Sequence, residues 1–178
     1  MSHEELRLEE PNLSHEKQHQ EMLEEFINEE EIITPRTMRK KPHEDYQQFL
    51  QRTRDRKQGI NLPEQWVPGS LYFIINKQGK LVGGVSVRHT LNKALERLGG
   101  HIGYGIRPSE RKKGYATLAL TLALRKCKEL GIKKAMVICK KENIGSAKVI
   151  QKNGGILESE YVCEENENIP TQRRFITT

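Results

Sequence analysis

A short basic segment, from Arg111 to Gly114, lies at the start of a long apolar stretch and offers the clearest chemistry in the chain. This pattern predicts a loop that opens a helix. The first N–H groups of a helix lack partners within the helix and lie at the positive end of its dipole, so they attract anions. Lys112 and Lys113 add positive charge, and Gly114 lets a bulky anion approach the backbone. Together these features predict a phosphate-binding loop.

Two other kinds of phosphate loop do not fit the pattern. A P-loop ends in Gly-Lys-Ser or Gly-Lys-Thr, and neither tripeptide occurs in the chain. Gly103 and Gly105 resemble the start of a dinucleotide-binding turn, but the third glycine is missing and Pro108 follows closely. A solvated basic corner that binds no ligand remains an alternative for this segment.

The elements around the loop indicate how it is positioned. Residues 70–75 and 80–89 are rich in β-formers around a short glycine-containing link, which predicts a hairpin. A strand from His101 leads into the loop, a helix follows over residues 114–130, and a continuous apolar run over residues 135–139 predicts a buried strand. This order predicts a right-handed crossover, with the anion site at the carboxyl end of the first strand.

The N-terminal part predicts a strand at residues 6–8 and two helices. The first helix runs from an N-cap at Ser14 to about Glu31, and the second begins near Pro42. The apolar stripe predicted for the first helix consists of Met22, Leu23, Phe26 and Ile27. Trp66, in a proline-containing loop, either lines an acceptor site or fills the edge of the core.

The remaining elements are short. A helical excursion is predicted within residues 90–100, a helix at residues 143–153, and final strands at residues 156–163 and 172–177.

Length and composition bound the class of protein. The chain has 178 residues, which favours one domain, and it lacks an apolar run long enough to span a membrane. The N-terminal residues 1–5 are acidic, which argues against a secretory signal. Cys127, Cys139 and Cys163 lack metal-ligand spacing and predict buried free thiols and no metal site. A reduced cytoplasm fits this pattern.

The charge is distributed unevenly. The net charge is +6, but residues 1–32 hold eleven glutamates against Arg7 and Lys17, which leaves +15 on the remainder. This excess favours a polyanionic partner, either nucleic acid or a phosphorylated cofactor. Aromatic residues make up only 6% and are not interleaved with a basic face, which argues against stacking on single-stranded nucleic acid.

The spacing Arg111-x-x-Gly114-x-Ala116 resembles the pyrophosphate loop of the GNAT superfamily of acyl-CoA-dependent N-acetyltransferases. Asn143, followed by small residues and a helix that ends before Gly154, resembles a second motif of that family. The resemblance covers residues 70–160 well and residues 1–69 only in general layout, with features of a bacterial subgroup of predicted acetyltransferases.

The resemblance implies an α/β fold with a mixed, mostly antiparallel sheet of about seven strands and about four helices. A parallel central pair of strands would share its first part and then splay. Residues 1–69 would wall the acceptor side, residues 70–160 would bind acyl-CoA, and residues 161–178 would supply the last strands of a single domain, residues 1–178.

The resemblance also implies a set of cofactor-binding residues. The strand backbone would contact the pantetheine arm of acetyl-CoA, the loop and helix start would hold the pyrophosphate, and Asn143 would hydrogen-bond the arm. The predicted set is Tyr104, Gly105, Ile106, Arg111, Lys112, Lys113, Gly114, Tyr115, Ala116, Thr117, Asn143 and Ser146.

Acyl transfer to an amine requires a neutral amine, a stabilised oxyanion and a protonated leaving thiolate. Many relatives carry a tyrosine acid seven residues after the asparagine, where this chain has Ile150. Tyr104 and Tyr161 are the substitute acids, and His101 and His89 are the candidate bases. Either histidine is also explained as a group that caps the sheet or bonds the backbone.

The leading hypothesis is therefore an acetyl-CoA-dependent N-acetyltransferase that transfers acetyl directly to a primary amine of a small molecule or peptide. The alternatives are a catalytically silent acyl-CoA-binding regulatory module and, with less support, a basic nucleic-acid-binding protein. Acetyl-CoA and an amine acceptor are the expected partners, without a membrane, and a homodimer is compatible with the sequence.

Overall fold

The computed structural model describes residues 6–178, so the N-terminal pentapeptide, on which the expectation about a secretory signal depends, lies outside the described residues. The strands are β1 (Arg7–Glu9), β2 (Gly69–Ile75), β3 (Leu81–Arg88), β4 (Ile102–Ile106), β5 (Lys134–Lys140), β6 (Ile156–Tyr161) and β7 (Thr171–Thr177). The helices are α1 (Glu16–Asn28), α2 (Tyr46–Gln58), α3 (Lys93–Leu98), α4 (Tyr115–Glu129) and α5 (Ile144–Lys152).

The described strands form two antiparallel sheets. The first has the order β1-β2-β3-β4, and the second has the order β5-β7-β6. The predicted hairpin is confirmed as β2 and β3, where the side chain of Asn76 accepts hydrogen bonds from the N–H groups of Gln78 and Lys80 in the turn. The mixed α/β architecture predicted from the sequence is confirmed.

The first sheet is covered on both faces. On one face, Ile102 and Ile106 of β4 pack with Ala119 and Leu120 of α4. On the other face, α1 and α2 bury a second apolar cluster that includes Phe26, Phe49 and Phe73. Two apolar layers therefore fix β4 between the helix that follows it and the N-terminal helices.

Glycines in β3 and β4 let the segment before α2 lie directly on the sheet. A Cβ atom on Gly105 would lie 2.0 Å from the carbonyl oxygen of Thr34, and one on Gly84 would lie 2.2 Å from the sulfur of Met38. Any larger residue would push this segment away from the sheet. The glycines thus determine how closely residues 34–38 approach β4.

Three local predictions for the N-terminal part are wrong. Ser14 does not cap α1; it lies in a 3₁₀ turn whose cap is Asn12, which accepts a hydrogen bond from the Ser14 N–H at 3.0 Å. The second helix begins at Tyr46 because Asp45 and Gln48 form a reciprocal capping box. Ile27 does not face the core, since 63% of its surface is exposed.

The three cysteines are free and buried, as predicted. No helix among residues 6–178 is both long and apolar enough to cross a membrane.

Candidate active site

The two sheets separate between β4 and β5. Within the described part of the chain, a single bridge of antiparallel geometry joins Gly100 to Val137, just before β4 begins, and the N–H of His101 donates to the carbonyl of Met136 at 2.8 Å. Further along, the end of β4 and the residues that follow β5 line the same cavity, so both strands advance in the same direction. Among residues 6–178, no ladder pairs the remaining length of β4 on this side, and the two strands bound a cleft.

The hydrogen bonds between β3 and β4 show which backbone groups face this cleft. Arg88 donates to the carbonyl of His101, and Arg107 donates to the carbonyl of Val82. Because hydrogen-bonded pairs alternate along an antiparallel ladder, the odd-numbered residues of β4 bond to β3. The N–H and C=O groups of Tyr104 and Ile106 therefore face the cleft.

The backbone of Gly105 was also predicted to contact the pantetheine arm, but its N–H and C=O groups belong to the odd-numbered set and point toward β3. It lines the cleft through its Cα, where a side chain would collide with Thr34.

The predicted phosphate loop has the backbone shape that an anion site requires. Gly114 is the N-cap of α4 with a φ of +82°, and no heavy atom lies within 4 Å of the position its Cβ would occupy. Lys112 is also left-handed, with a φ of +63°. The first N–H groups of α4, up to Thr117, thus begin at an open corner where the positive end of the helix dipole is accessible.

Two of the three cationic side chains of this loop, Arg111 and Lys113, are already paired with carboxylates. Arg111 donates two hydrogen bonds of 2.6 Å to Glu31 and a third, of 3.2 Å, to the carbonyl of Ile106. The guanidinium holds the pKa of Glu31 below its ordinary value. Lys113 donates to Glu110 at 2.7 Å, and Lys80 binds the same buried carboxylate.

The opposite wall of the cleft is the start of α5. Asn143 caps this helix by accepting a hydrogen bond of 3.0 Å from the N–H of Ser146. The hydroxyl of Tyr104 reaches across the cleft and lies 2.8 Å from the Ser146 hydroxyl. Burial raises the pKa of Tyr104 to about 12, so its hydroxyl keeps its proton at neutral pH.

Together these walls enclose a cavity of about 590 Å³. All the predicted cofactor-binding residues except Lys113 line it: Tyr104, Gly105, Ile106, Arg111, Lys112, Gly114, Tyr115, Ala116, Thr117, Asn143 and Ser146. Sequence reasoning missed several residues that also line it, namely Phe26, Glu31, Ile32, Thr34, Glu110, Gly145 and Val149. Most of these come from the end of α1 and the segment after it, for which the sequence holds no local pattern.

A family model described as an acetyltransferase (GNAT) domain matches residues 6–156. The chain belongs to the GNAT acetyltransferase family. Curated protein sequences show no significant match to it.

Solved GNAT structures share the fold at low sequence identity. The microcin C7 self-immunity acetyltransferase MccE, solved with acetyl-CoA and AMP, has a TM-score of 0.68 at 19% identity and covers 98% of this chain and 93% of its own. A Salmonella typhimurium acetyltransferase that modifies the N-terminal serine of ribosomal protein L7/L12 has a TM-score of 0.67 at 16% identity, with coverages of 99% and 96%. A Bacillus anthracis GNAT acetyltransferase has a TM-score of 0.62 at 18% identity, with coverages of 98% and 96%.

His101, a candidate base of this GNAT protein, makes a structural hydrogen bond. Its Nδ1 atom accepts a bond of 2.9 Å from the N–H of Met136, which in the neutral ring leaves the proton on Nε2. Burial, followed by the charge of Arg88, lowers the pKa of His101. The neutral ring therefore has no spare lone pair for a substrate proton unless the bond to Met136 is broken.

His89 and Tyr161 lie outside the cavity lining. The Nε2 atom of His89 is 2.9 Å from the hydroxyl of Ser70, and burial, followed by Arg56 and Lys57, lowers its pKa. The hydroxyl of Tyr161 donates to the carbonyl of Arg97. Among the four candidate catalytic side chains, the structure places Tyr104 in the cleft.

Ile150, which stands where many relatives carry a tyrosine acid, is fully buried in α5 and belongs to the core cluster that α4 and both sheets share. Its side chain therefore stabilises the core and cannot donate a proton. A proton donor has to come from another residue of the cleft.

Proposed function

We propose that this GNAT protein transfers the acetyl group of acetyl-CoA directly to a primary amine of a small molecule or peptide. One observation carries the proposal: the unpaired edge of β4 and the open start of α4 lie on the same cleft. An extended amide-containing arm needs backbone partners along its length, and a pyrophosphate needs convergent N–H groups. This cleft offers both.

The groups of the chain divide the work of binding. The N–H groups of residues 113–117 would bind the pyrophosphate, while Tyr104 and Ile106 offer N–H and C=O groups to the arm. Asn143 and Ser146 would hold the arm from the opposite wall. Acetyl-CoA supplies the activated acyl group when bound.

The reaction breaks the thioester C–S bond as the amine nitrogen bonds to the acyl carbon. The nitrogen loses a proton and the departing sulfur gains one. We assign proton delivery to the sulfur to Tyr104, because its hydroxyl lies in the cleft and is protonated at neutral pH. Backbone N–H groups of β4 would stabilise the oxyanion, and close positioning of the two substrates would supply several kcal/mol.

Similar structures support the cofactor but vary in acceptor. MccE was solved with acetyl-CoA and AMP, and the ribosomal acetyltransferase RimL was solved with coenzyme A. The Salmonella protein modifies a protein N-terminus. The names of the two ribosomal-protein acetyltransferases agree with an amine acceptor, since one modifies an N-terminal serine and the other is an alpha-N-protein acetyltransferase.

A second candidate is an acyl-CoA-binding module without turnover. Two observations favour it: Ile150 is a buried core residue, and the Nδ1 lone pair of His101 is used by Met136. A cleft that binds acetyl-CoA but lacks a base and the usual tyrosine acid would behave in this way.

Thermal unfolding with acetyl-CoA, CoA and a short oligonucleotide separates these functions. A ligand at about 100 times its Kd should stabilise the protein by roughly 2.7 kcal/mol. A shift with acetyl-CoA, together with thiol release on a broad panel of amines, is the expected result. A shift without thiol release would support the binding module, and salt-sensitive stabilisation by the oligonucleotide alone would overturn both.

A further inference from the structure

A second, smaller cavity lies on the face of the first sheet opposite α4. Its volume is about 160 Å³, and three arginines from separate segments line it: Arg36, Arg56 and Arg88. We call it the arginine pocket. Its remaining lining is Pro35, Thr37, Gln65, Trp66, Val67, Ser86 and Leu95, and none of these residues is acidic.

The positive charge of the arginine pocket is not compensated. Within residues 6–178, none of its three arginines takes part in an ion pair with a carboxylate. Burial, followed by the charges of Arg88 and Arg52, lowers the pKa of Arg56 to about 10. A buried cation normally has a charged partner, because burial without one is costly.

Among residues 6–178, two buried polar atoms of residues that line the pocket lack hydrogen-bond partners. Arg56 and Thr37 are each only 7% exposed, and the Nε of Arg56 and the hydroxyl oxygen of Thr37 are unsatisfied. Most buried polar groups in folded proteins are satisfied, so such atoms need an explanation. These two atoms are themselves covered, so an anion in the pocket would bind through the remaining N–H donors of the guanidinium groups.

Structural bonds account for only some of the donors. Arg88 donates from one nitrogen to the carbonyls of Gly99 and Gly100, at 3.2 and 3.0 Å. Arg56 donates to the hydroxyl of Ser86 at 3.3 Å, and its guanidinium lies over the ring of Trp66. Each guanidinium has five N–H donors, so both retain capacity for an acceptor.

The arginine pocket adjoins the cleft between β4 and β5, which we call the acyl-CoA cleft after its proposed ligand. Ser86, in its lining, pairs across the ladder with Gly103, one residue before Tyr104. Pro35 lines the pocket, whereas the preceding residue, Thr34, lines the cleft. A small molecule anchored in the pocket could therefore present another of its groups to β4 near the start of the cleft.

We propose that the arginine pocket binds an anionic group, a carboxylate or a phosphate, carried by the amine that this protein acetylates. The proposal deepens the proposed function and rests on it. Guanidinium groups bind both anions through paired hydrogen bonds, and a volume of about 160 Å³ suits the charged group of a substrate rather than the whole molecule. The pocket would thus select anionic amines over neutral ones.

A binding experiment tests the pocket without requiring the natural acceptor. The protein is first saturated with CoA to block the helix start of α4, and inorganic phosphate and acetate are then titrated at constant ionic strength. Thermal shift and isothermal calorimetry report binding. Arg56→Met should weaken binding of the preferred anion by about tenfold or more. Arg54→Met, an exposed arginine on the same helix, is the matched control and should bind like wild type.

The two anions distinguish the source of the charge, since a preference for acetate indicates a carboxylate and a preference for phosphate a phosphoryl group. Retained CoA binding shows that Arg56→Met is folded, and Arg56→Lys should restore part of the affinity because it keeps the charge. Absence of anion binding to wild type, or equal binding by the Arg56→Met and Arg54→Met variants, would overturn the proposal.

A second experiment measures the acetylation rate of matched pairs of amines, one anionic and one not. Suitable pairs are phosphoethanolamine and ethanolamine, or an amino acid and its amide. The anionic member should have at least a tenfold higher kcat/KM in wild type, and Arg56→Met should remove that preference mainly through KM. Equal use of both members would overturn the inference but leave the transferase intact. Failure of CoA itself to bind would instead count against the proposed function.

Discussion

The cleft beside β4 and the arginine pocket are both lined by cationic side chains, but only the cleft also has carboxylates in its lining. At the cleft, Arg111 is paired with Glu31, and Lys113 with Glu110. Three arginine residues line the arginine pocket, and no acidic residue does. The two regions lie on either side of residues 34–35: β4 lines the cleft, and the neighbouring strand β3 lines the arginine pocket.

The difference separates two ways of binding an anion. A ligand that enters the cleft must compete with Glu31 for Arg111, so side-chain charge contributes little net free energy there. The N–H groups at the start of α4 are fixed by the helix and carry more of the binding. In the arginine pocket, the arginine side chains themselves have to bind the anion.

The largest expected effect is at Gly114. Gly114→Glu should weaken acetyl-CoA binding by at least about 100-fold in calorimetry, because it places a carboxylate where the pyrophosphate would lie. Gly114→Ala is the control: it has the same strain at a φ of +82°, roughly 1–2 kcal/mol, but no charge and no steric conflict. Equal Kd values for the two variants would remove the start of α4 as the anion site.

The next effect concerns the balanced charges at the cleft. Glu110→Gln should lower the free energy of unfolding by about 2 kcal/mol at pH 7, because two lysines would lose a buried partner. Burial would raise the pKa of Glu110, but hydrogen bonds from Lys113 and Lys80 outweigh burial and lower it below 4.5.

The sign of that pKa shift predicts the pH dependence. The stabilisation by Glu110 is fully present above its unfolded-state pKa of 4.5 and is lost as the pH falls through its lower folded-state pKa. Urea unfolding should therefore show that wild type and Glu110→Gln converge at acidic pH. Glu64→Gln, at an exposed position, should change stability by less than about 0.5 kcal/mol. A constant difference at all pH values would contradict the assignment.

A smaller effect should come from releasing Arg111. Glu31→Gln removes its exposed partner and should strengthen acetyl-CoA binding about two- to fivefold at low salt, with the gain disappearing at high salt. Glu30→Gln alters the neighbouring exposed glutamate and should leave affinity unchanged. Weaker binding by Glu31→Gln would mean that Glu31 supports the site rather than competing for it.

The smallest effect is a titration shift in His101. Because the uncompensated charge of Arg88 helps to lower the pKa of His101, Arg88→Gln should move that pKa back toward the ordinary value of 6.5. NMR titration of the imidazole measures the shift, and Arg97→Gln, which alters an exposed arginine paired with Glu165, serves as the reference. An unchanged His101 pKa in Arg88→Gln would show that the charge of Arg88 does not reach the ring.

Much of the cleft could be predicted from local sequence. Gly114 after three cationic residues, at the start of an apolar helix, predicts a turn and an open helix start, and the structure has both. The hairpin and strand β5 could also be predicted. The pattern of apolar residues along a strand, alternating or continuous, reflects how many of its faces are buried. Local errors arose where side-chain caps decided a helix boundary, as at Asp45.

The sequence by itself thus determined the family, the hairpin and the open start of α4, because each depends on neighbouring residues. Tertiary structure alone decided which charges remain available. Arg111 meets Glu31 from 80 positions away, the lone pair of His101 is taken by Met136, and segments from three parts of the chain bring Arg36, Arg56 and Arg88 together. The physical reason is that charge compensation depends on distances in space, and these are set by packing of distant segments rather than by spacing along the chain.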